Sequence, residues 1–230
     1  MKHLIFAFFI LLTLNLSAQE INIELKAKLD SIMQKDQLMR ELIDNRITEE
    51  RKIEILAILG LEKEKFYGNS AGDAWWSVYS QDLKNIHTIR QILKEYGYPG
   101  KTLVGVPTNK AAWFVIQHSD AIEEFFPLIE KAGKENEIPM TLVAKMEDRL
   151  LMEKGLEQKY GTQAHGQKNI NTETGEEEWT YFIWPIKNPE NVNELRKSIG
   201  FNETVEESAK SLGIVYTVYT LDEINKKLNQ

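Results

Sequence analysis

The chain has 230 residues, of which 42% are hydrophobic and 27% are charged, and its formal net charge is −7. These values are typical of a folded globular protein, and the acidic balance argues against nucleic-acid binding, which relies on Lys and Arg. Because the chain contains no cysteine, it cannot form disulfides, thiol nucleophiles, zinc–thiolate sites or iron–sulfur sites.

Residues 1–18 have the three-part layout of a secretory signal peptide. A basic start at Lys2 precedes an almost wholly apolar run over residues 4–16, and small residues follow up to Ala18. The run is shorter than a comfortable membrane span, so we favour a cleaved signal over a single N-terminal anchor helix. We therefore expect residues 19–230 to form a single exported domain, periplasmic or secreted, without a stable membrane anchor.

Apolar residues at helical spacing predict several helices in the first part of that domain. One runs from about Ile23 to Asn45, and a second from Thr48 to Leu59, just before Gly60. Residues 60–80 contain Gly-Asn-Ser and Ala-Gly-Asp and are predicted to form a loop insertion, pinned to the body by Trp75 and Trp76. A further helix is predicted from Ser80 to Gly97.

Three helices are predicted in the central part of the chain. The first begins at Thr108 and ends at Gln117; it is apolar on all sides and is therefore expected to be central. The second continues to about Lys134 and contains Pro127. The third starts at Pro139 and ends at Glu153.

The pattern changes between Tyr160 and Ile186, where residues that favour strands flank Thr174-Gly175 and predict a hairpin. Helices are then expected from Asn188-Pro189 and from a capping box that begins at Thr204. Residues 214–220 are predicted to form a last strand and residues 221–230 a terminal helix. The predicted fold is mainly α (α+β): a single helical domain with a small β-hairpin near residues 160–186.

The first polar pair of interest is Asp36 and Arg40, which lie one helical turn apart on the apolar stripe of the first helix. A pair in that position is expected to be substantially buried. Two interpretations remain open: Arg40 is held ready for an anionic or carbonyl group of a ligand, or the two residues form a structural ion pair.

The segment Gln117-His118-Ser119-Asp120 ends the apolar helix. His118 and Asp120 could act as an acid–base pair or contribute to a metal site. The alternative for Asp120 is to cap the next helix, because Asp120-x-x-Glu123 has the form of a capping box. His118 is either a buried imidazole whose hydrogen bonds are satisfied within the protein or a site residue, and the His-x-Asp spacing alone is a weak signal for a metal.

Asp148 and Arg149 lie on a helix that is apolar around most of its circumference. Neighbouring helical residues point about 100° apart, so one of the two can face the core while the other faces elsewhere. The turn Tyr160-Gly161-Thr162-Gln163 follows, and its side chains supply neutral hydrogen-bonding groups. This segment is either a binding loop or a structural turn.

These motifs occur in a fixed order: Asp36-Gln37-x-x-Arg40, Gln117-His118-x-Asp120, Asp148-Arg149 and Tyr160-Gly161-Thr162-Gln163. In this combination the chain resembles an uncharacterised bacterial family, a domain-of-unknown-function group frequent in Bacteroidetes-type bacteria. The resemblance covers about residues 22–205, with an insertion near residues 60–80. It brings no known activity or cofactor, but it implies that these residues belong to one pattern: Arg40, His118, Asp148, Arg149, Tyr160 and Gln163.

The leading hypothesis is a polar pocket for an anionic or amide-rich ligand, such as a peptide or cell-wall fragment. Its ligand-binding residues would be Arg40, Gln37, His118, Arg149, Tyr160, Thr162 and Gln163. The rival is a hydrolase in which His118 is the general base and Asp120 or Asp148 orients it. The third is a structural or interaction module with buried polar networks. No cofactor and no metal are expected.

Overall fold

Eleven α-helices and one β-hairpin make up the described part of this computed structural model, which covers residues 20–68, 70–170 and 175–228. The predicted signal peptide lies outside the described residues. The helices are α1 (Ile23–Leu42), α2 (Glu49–Leu59), α3 (Lys63–Tyr67), α4 (Ala71–Tyr96), α5 (Lys101–Val104), α6 (Ala111–Ile116), α7 (Ile122–Lys134), α8 (Met140–Glu153), α9 (Val192–Ser198), α10 (Val205–Ser211) and α11 (Leu221–Leu228). The predicted mainly α fold is confirmed.

The hairpin pairs β1 (Ala164–Ile170) with β2 (Glu177–Ile183) in antiparallel register, with Ala164 opposite Ile183. Short 3-10 turns at residues 108–110 and 189–191 lead into α6 and α9. Within the described ranges, no helix combines the length and the apolar character that crossing a membrane requires.

Several helix ends follow the predicted capping signals. The Thr48 hydroxyl accepts a hydrogen bond from the Arg51 amide at the start of α2, and Gly60 ends that helix in the left-handed conformation. Thr204 and Glu207 form the predicted capping box of α10. The first helix ends three residues earlier than expected, because the Asp44 carboxylate binds the Arg46 amide and forms a turn.

The prediction of a loop over residues 60–80 is wrong. That stretch contains α3 and the first turns of α4, which begins at Ala71 rather than at Ser80. The turn residues before Ala71 interrupt the helices only briefly, and Ala74 and Val78 bury one face of the new helix. Trp75 and Trp76 lie on the other face, 61% and 66% exposed, so they do not pin the segment to the body.

The strand predicted for residues 214–220 is absent, since this segment is neither helix nor strand and the described sheet consists of β1 and β2 alone. A strand needs a neighbouring strand to satisfy its backbone groups. Here the segment packs through side chains instead: Ile214 joins the cluster beneath α9 and α10, and Tyr219 contacts Phe182.

The main core lies between α1, α4, α6, α7 and α8. The predicted central helix α6 is buried along nearly its whole length and contacts α1, α4 and α7. A smaller core joins α1 to α2, α3 and the start of α4, and separate clusters bury the hairpin against α9, α10 and α11.

Gly161 is the tightest glycine in the segment that joins α8 to the hairpin. Its φ of +66° is unfavourable for other residues, and an added Cβ would lie 2.6 Å from Val205 and 2.7 Å from Ile186. Gly60 has a similar φ of +62° but no heavy atom within 4 Å of an added Cβ. Comparing a substitution at Gly161 with the same substitution at Gly60 therefore separates the effect of steric crowding from that of backbone strain.

We predict that Gly161→Ala lowers the free energy of unfolding by about 2–4 kcal/mol, because backbone strain and core crowding add together. Gly60→Ala should cost only about 1 kcal/mol, from backbone strain alone. Urea denaturation of both variants measures the difference. Equal losses in the free energy of unfolding would show that the residues packed around Gly161 move at little cost to make room for the added Cβ.

Candidate functional site

Arg40 sits between two carboxylates from different helices. Its guanidinium lies 2.6 Å from the carboxylate of Asp82 on α4 and 3.4 Å from that of Asp36 on α1. The Asp36 side chain is 1% exposed and that of Arg40 is 22% exposed, so the pair is buried on one side as the apolar stripe predicts. Burial raises the pKa of Asp82, and the adjacent Arg40 opposes that rise.

Gln37 is exposed on α1, and its amide donates a hydrogen bond to the Asp36 carboxylate at 2.8 Å. Asp36 therefore accepts hydrogen bonds from both Gln37 and Arg40. A buried carboxylate needs such partners to offset its lost hydration. This arrangement fixes the guanidinium of Arg40 while leaving one edge of it accessible.

His118 lies just beyond the end of α6 and is partly buried. Burial lowers the pKa of its imidazole to about 3, and the positive charges of Arg40 and Arg149 add to this effect. Among the described residues, no hydrogen bond or ion pair is formed by the imidazole. His118 is thus a neutral ring near two guanidinium groups, with both of its nitrogens available.

Arg149 enters the same region from α8. Its guanidinium lies 3.3 Å from Glu153, and the two side chains are 36% and 46% exposed. Exposed ion pairs of this kind are weak and rearrange at little cost. We call Arg40, His118 and Arg149 the Arg–His site; its members come from α1, the end of α6 and α8.

Asp148 points the other way and is fully buried. Its carboxylate accepts hydrogen bonds from the amides of Lys159, Tyr160 and Thr162, at 2.7–3.1 Å, and from the Thr162 hydroxyl at 2.9 Å. Burial raises the pKa of Asp148, while these N–H groups oppose the rise. The carboxylate fixes the segment after α8 and has no bond to His118.

Tyr160, Thr162 and Gln163 belong to this second group. The Gln163 side-chain amide donates to the Lys145 carbonyl and the Thr162 hydroxyl, at 3.2 and 3.1 Å. The Tyr160 carbonyl accepts a hydrogen bond from Arg196 at 2.8 Å. The hydrogen bonds of this turn are therefore made mostly to other groups of the protein.

Arg196 and Gln158 complete this network, although neither was among the predicted site residues. Arg196 is 1% exposed; it also binds the Glu203 carbonyl and stacks over Phe201. Gln158, fully buried, donates to two backbone carbonyls and accepts from the Gln163 amide. The local sequence does not mark either residue, because Gln158 lies between two charged residues and Arg196 precedes Lys197. A distant backbone partner leaves no pattern in the neighbouring residues.

Asp120 does not cap α7. The N-cap is Ala121, and the Ser119 hydroxyl accepts its amide hydrogen bond at 3.2 Å. The capping prediction is wrong because the chain makes an extra turn at Ser119, whose hydroxyl also binds the Ile116 carbonyl. Asp120 is exposed, and no hydrogen bond joins it to His118 in the described residues.

In the described ranges, no group of three His, Asp or Glu side chains is arranged so that it could hold a metal ion. What the Arg–His site offers instead is hydrogen-bond donors: two guanidinium groups and a neutral imidazole. Such a set is suited to an anion or to a strongly polarised carbonyl group.

The depressed pKa of His118 predicts how stability depends on pH. The folded protein resists protonation until about pH 3, whereas the unfolded chain protonates near pH 6.5. His118 should therefore reduce stability progressively as the pH falls through this window. His118→Gln should lose less stability than the wild type over the same range.

Urea denaturation across that pH window measures this difference. The control is His87→Gln, because His87 is exposed on α4 and its ring forms a hydrogen bond with Gln91 one helical turn away. If His118→Gln and the wild type lose stability in parallel, the imidazole is protonated in the folded protein.

Comparison with known protein families gives a match. The model of a family described as "Family of unknown function (DUF6624)" matches residues 57–220, more than half of the chain. The match includes His118, Asp148, Arg149 and the turn at Tyr160, and begins after α1. Neither the curated proteins nor the solved structures gave a match. The chain belongs to this family of unknown function.

Proposed function

We propose that this protein binds a small anionic ligand at the Arg–His site, and that the ligand carries its charge on a carboxylate, as a peptide or cell-wall fragment does. The observation that carries the proposal is the proximity of two arginines to His118, where the charges of Arg40 and Arg149 both lower the pKa of the imidazole. A carboxylate placed there would find charge-assisted donors.

Arg149 is the residue best suited to bind the ligand directly. Its only ion pair among the described residues is the exposed one with Glu153, so a bound carboxylate could replace Glu153 at small cost. Arg40 is held by Asp36 and Asp82 and would act from a fixed position. The neutral imidazole of His118 can donate one further hydrogen bond.

The hydrolase alternative has less support. An imidazole with a pKa of about 3 is a weak general base at neutral pH, where an effective base has a pKa near 7. Neither candidate carboxylate orients the imidazole: Asp148 is saturated by the turn that follows α8, and no hydrogen bond joins Asp120 to His118 in the part of the chain that the structure describes.

A structural role accounts for a different group of residues. Asp148, Gln158 and Arg196 are buried and bonded to neighbouring backbone, as a network that fixes the fold would be. It does not account for His118, whose ring nitrogens have no partner among the described residues. We assign the structural role to the Asp148 network and the binding role to the Arg–His site.

Export of the protein is part of this proposal and rests on residues 1–18, with their basic start, apolar run and small residues before Gln19. A cell-wall fragment would be met outside the cytoplasm, so the proposed ligand and the proposed location agree.

The test uses two matched probes, N-acetyl-alanyl-alanine with a free carboxylate and the same dipeptide with an amidated C-terminus. Calorimetric titration should detect binding of the free acid and much weaker binding of the amide. Arg149→Met should weaken binding of the acid by about tenfold or more, which is the loss of roughly one charge-assisted hydrogen bond.

Arg90→Met is the control variant, because Arg90 on α4 forms a comparably exposed ion pair with Glu124 on α7. Neither substitution should cost more than about 1 kcal/mol of stability. Equal binding of acid and amide, or equal affinity in the two variants, would contradict the proposal. Arg40→Met is unsuitable because it leaves buried Asp36 unpaired, at a cost of about 3–5 kcal/mol.

A further inference from the structure

The face of α4 that points away from the core carries four large apolar side chains. Trp75, Trp76, Tyr79 and Leu83 are each more than half exposed, and their spacing places them on one side of the helix. We call these four residues the α4 patch. Exposed apolar groups of this size are costly in water, and when clustered they mark interaction surfaces.

A basic groove adjoins the α4 patch. It has a volume of about 370 Å³ and lies between α1, α3 and α4, with Trp76 in its wall and buried Met39 and Phe66 beneath. Three lysines line it, Lys35, Lys65 and Lys84, and none of its described lining residues is acidic. The chain has a net charge of −7, so the groove is a local region of positive charge on an acidic protein.

Two of these lysines are free to bind an external anion. Lys65 lies 2.7 Å from Glu62, whereas Lys35 and Lys84 form no ion pair with any described residue. An anionic group in the groove would therefore neutralise charges that the fold leaves unmatched.

We propose that the α4 patch and the basic groove together dock the protein reversibly on a membrane surface that contains anionic phospholipids. The tryptophans and the tyrosine would lie at the headgroup level, where amphipathic rings are favoured, and Leu83 would reach toward the acyl chains. The lysines would hold the phosphate of a headgroup, and this contact is separate from the Arg–His site.

Two other occupants fit less well. A glycan stacks on flat rings, but the rings of Trp76 and Tyr79 are nearly perpendicular, at 82°, and Leu83 offers no stacking face. A second copy of the chain packed patch against patch would bring the two sets of unpaired lysines together, and like charges repel. The positive groove beside the apolar α4 patch favours the anionic lipid surface.

The test is co-sedimentation of the full chain with vesicles of phosphatidylcholine, with or without phosphatidylglycerol. Residues 1–18 are the same in every variant, so differences between variants report the patch and the groove. The wild type should bind vesicles containing phosphatidylglycerol more tightly. Lys35→Gln/Lys84→Gln should lower that partitioning about thirtyfold, because each lysine near an anionic surface contributes roughly fivefold.

Trp75→Ser/Trp76→Ser should lower partitioning by at least about tenfold, since two large rings leave the interface. The control is Trp179→Ser/Tyr181→Ser, which removes two stacked rings of similar exposure, 59% and 57%, from the hairpin. The control for charge is Lys145→Gln/Lys210→Gln, because both lysines are exposed. Both controls should bind like the wild type, and circular dichroism should show all variants folded.

Three results would overturn the proposal: patch and control variants that bind alike, lysine variants that keep the preference for phosphatidylglycerol, or complete displacement of the protein from vesicles by free glycerol phosphate. The last result would assign the groove to a soluble anion. Retention on cell-wall glycan that depends on Trp75 and Trp76, without vesicle binding, would also overturn it.

Discussion

The carboxylate of Asp148 accepts hydrogen bonds from three amides and one hydroxyl within a few residues of chain, and so ties α8 to the turn that leads into the hairpin. Arg196 holds the same turn from the opposite side through the Tyr160 carbonyl. Gly161, between these contacts, packs so closely on Val205 and Ile186 that a Cβ has no room. The α8 helix and the hairpin layer are therefore joined in one fixed orientation.

This constraint determines the direction in which the next residue, Arg149, points. Neighbours on a helix point about 100° apart, so anchoring Asp148 inward turns Arg149 toward the end of α6 and His118. Asp36 does the same for α1, because it accepts from Gln37 and Arg40 and so holds the Arg40 guanidinium. In both helices the buried carboxylate is occupied by hydrogen bonds within the protein. The nearby arginine remains partly exposed to solvent.

The sequence predicts well the features that depend on neighbouring residues. The caps at Thr48 and Thr204, the left-handed Gly60, the buried α6 and the hairpin each follow from a few adjacent side chains. The prediction of a loop over residues 60–80 was wrong because the turn-forming residues near Gly68 were given more weight than the helical spacing of Ala74 and Val78. The strand expected at residues 214–220 failed because a strand depends on a distant partner.

The sequence also indicated members of the candidate site, whose binding role stays a prediction. The sequence selected Arg40, His118 and Arg149, which lie within electrostatic reach of one another. It could not separate them from Asp148, because the partners of Asp148 are backbone amides more than ten residues away and leave no trace in side-chain identity. Nor could it show that the N-cap of α7 is Ala121 rather than Asp120, with the Ala121 amide bound to the Ser119 hydroxyl.

The central claim is that adjacent residues of α8 have separate roles, Asp148 as the anchor of the turn and Arg149 as a ligand-binding group. Amide hydrogen exchange tests it most directly, because Lys159, Tyr160 and Thr162 donate to Asp148 through their backbone N–H groups. Asp148→Asn should accelerate exchange at these three amides, while Arg149→Met should leave it at the wild-type rate. Unchanged exchange in Asp148→Asn, or equal acceleration in both variants, would contradict the account.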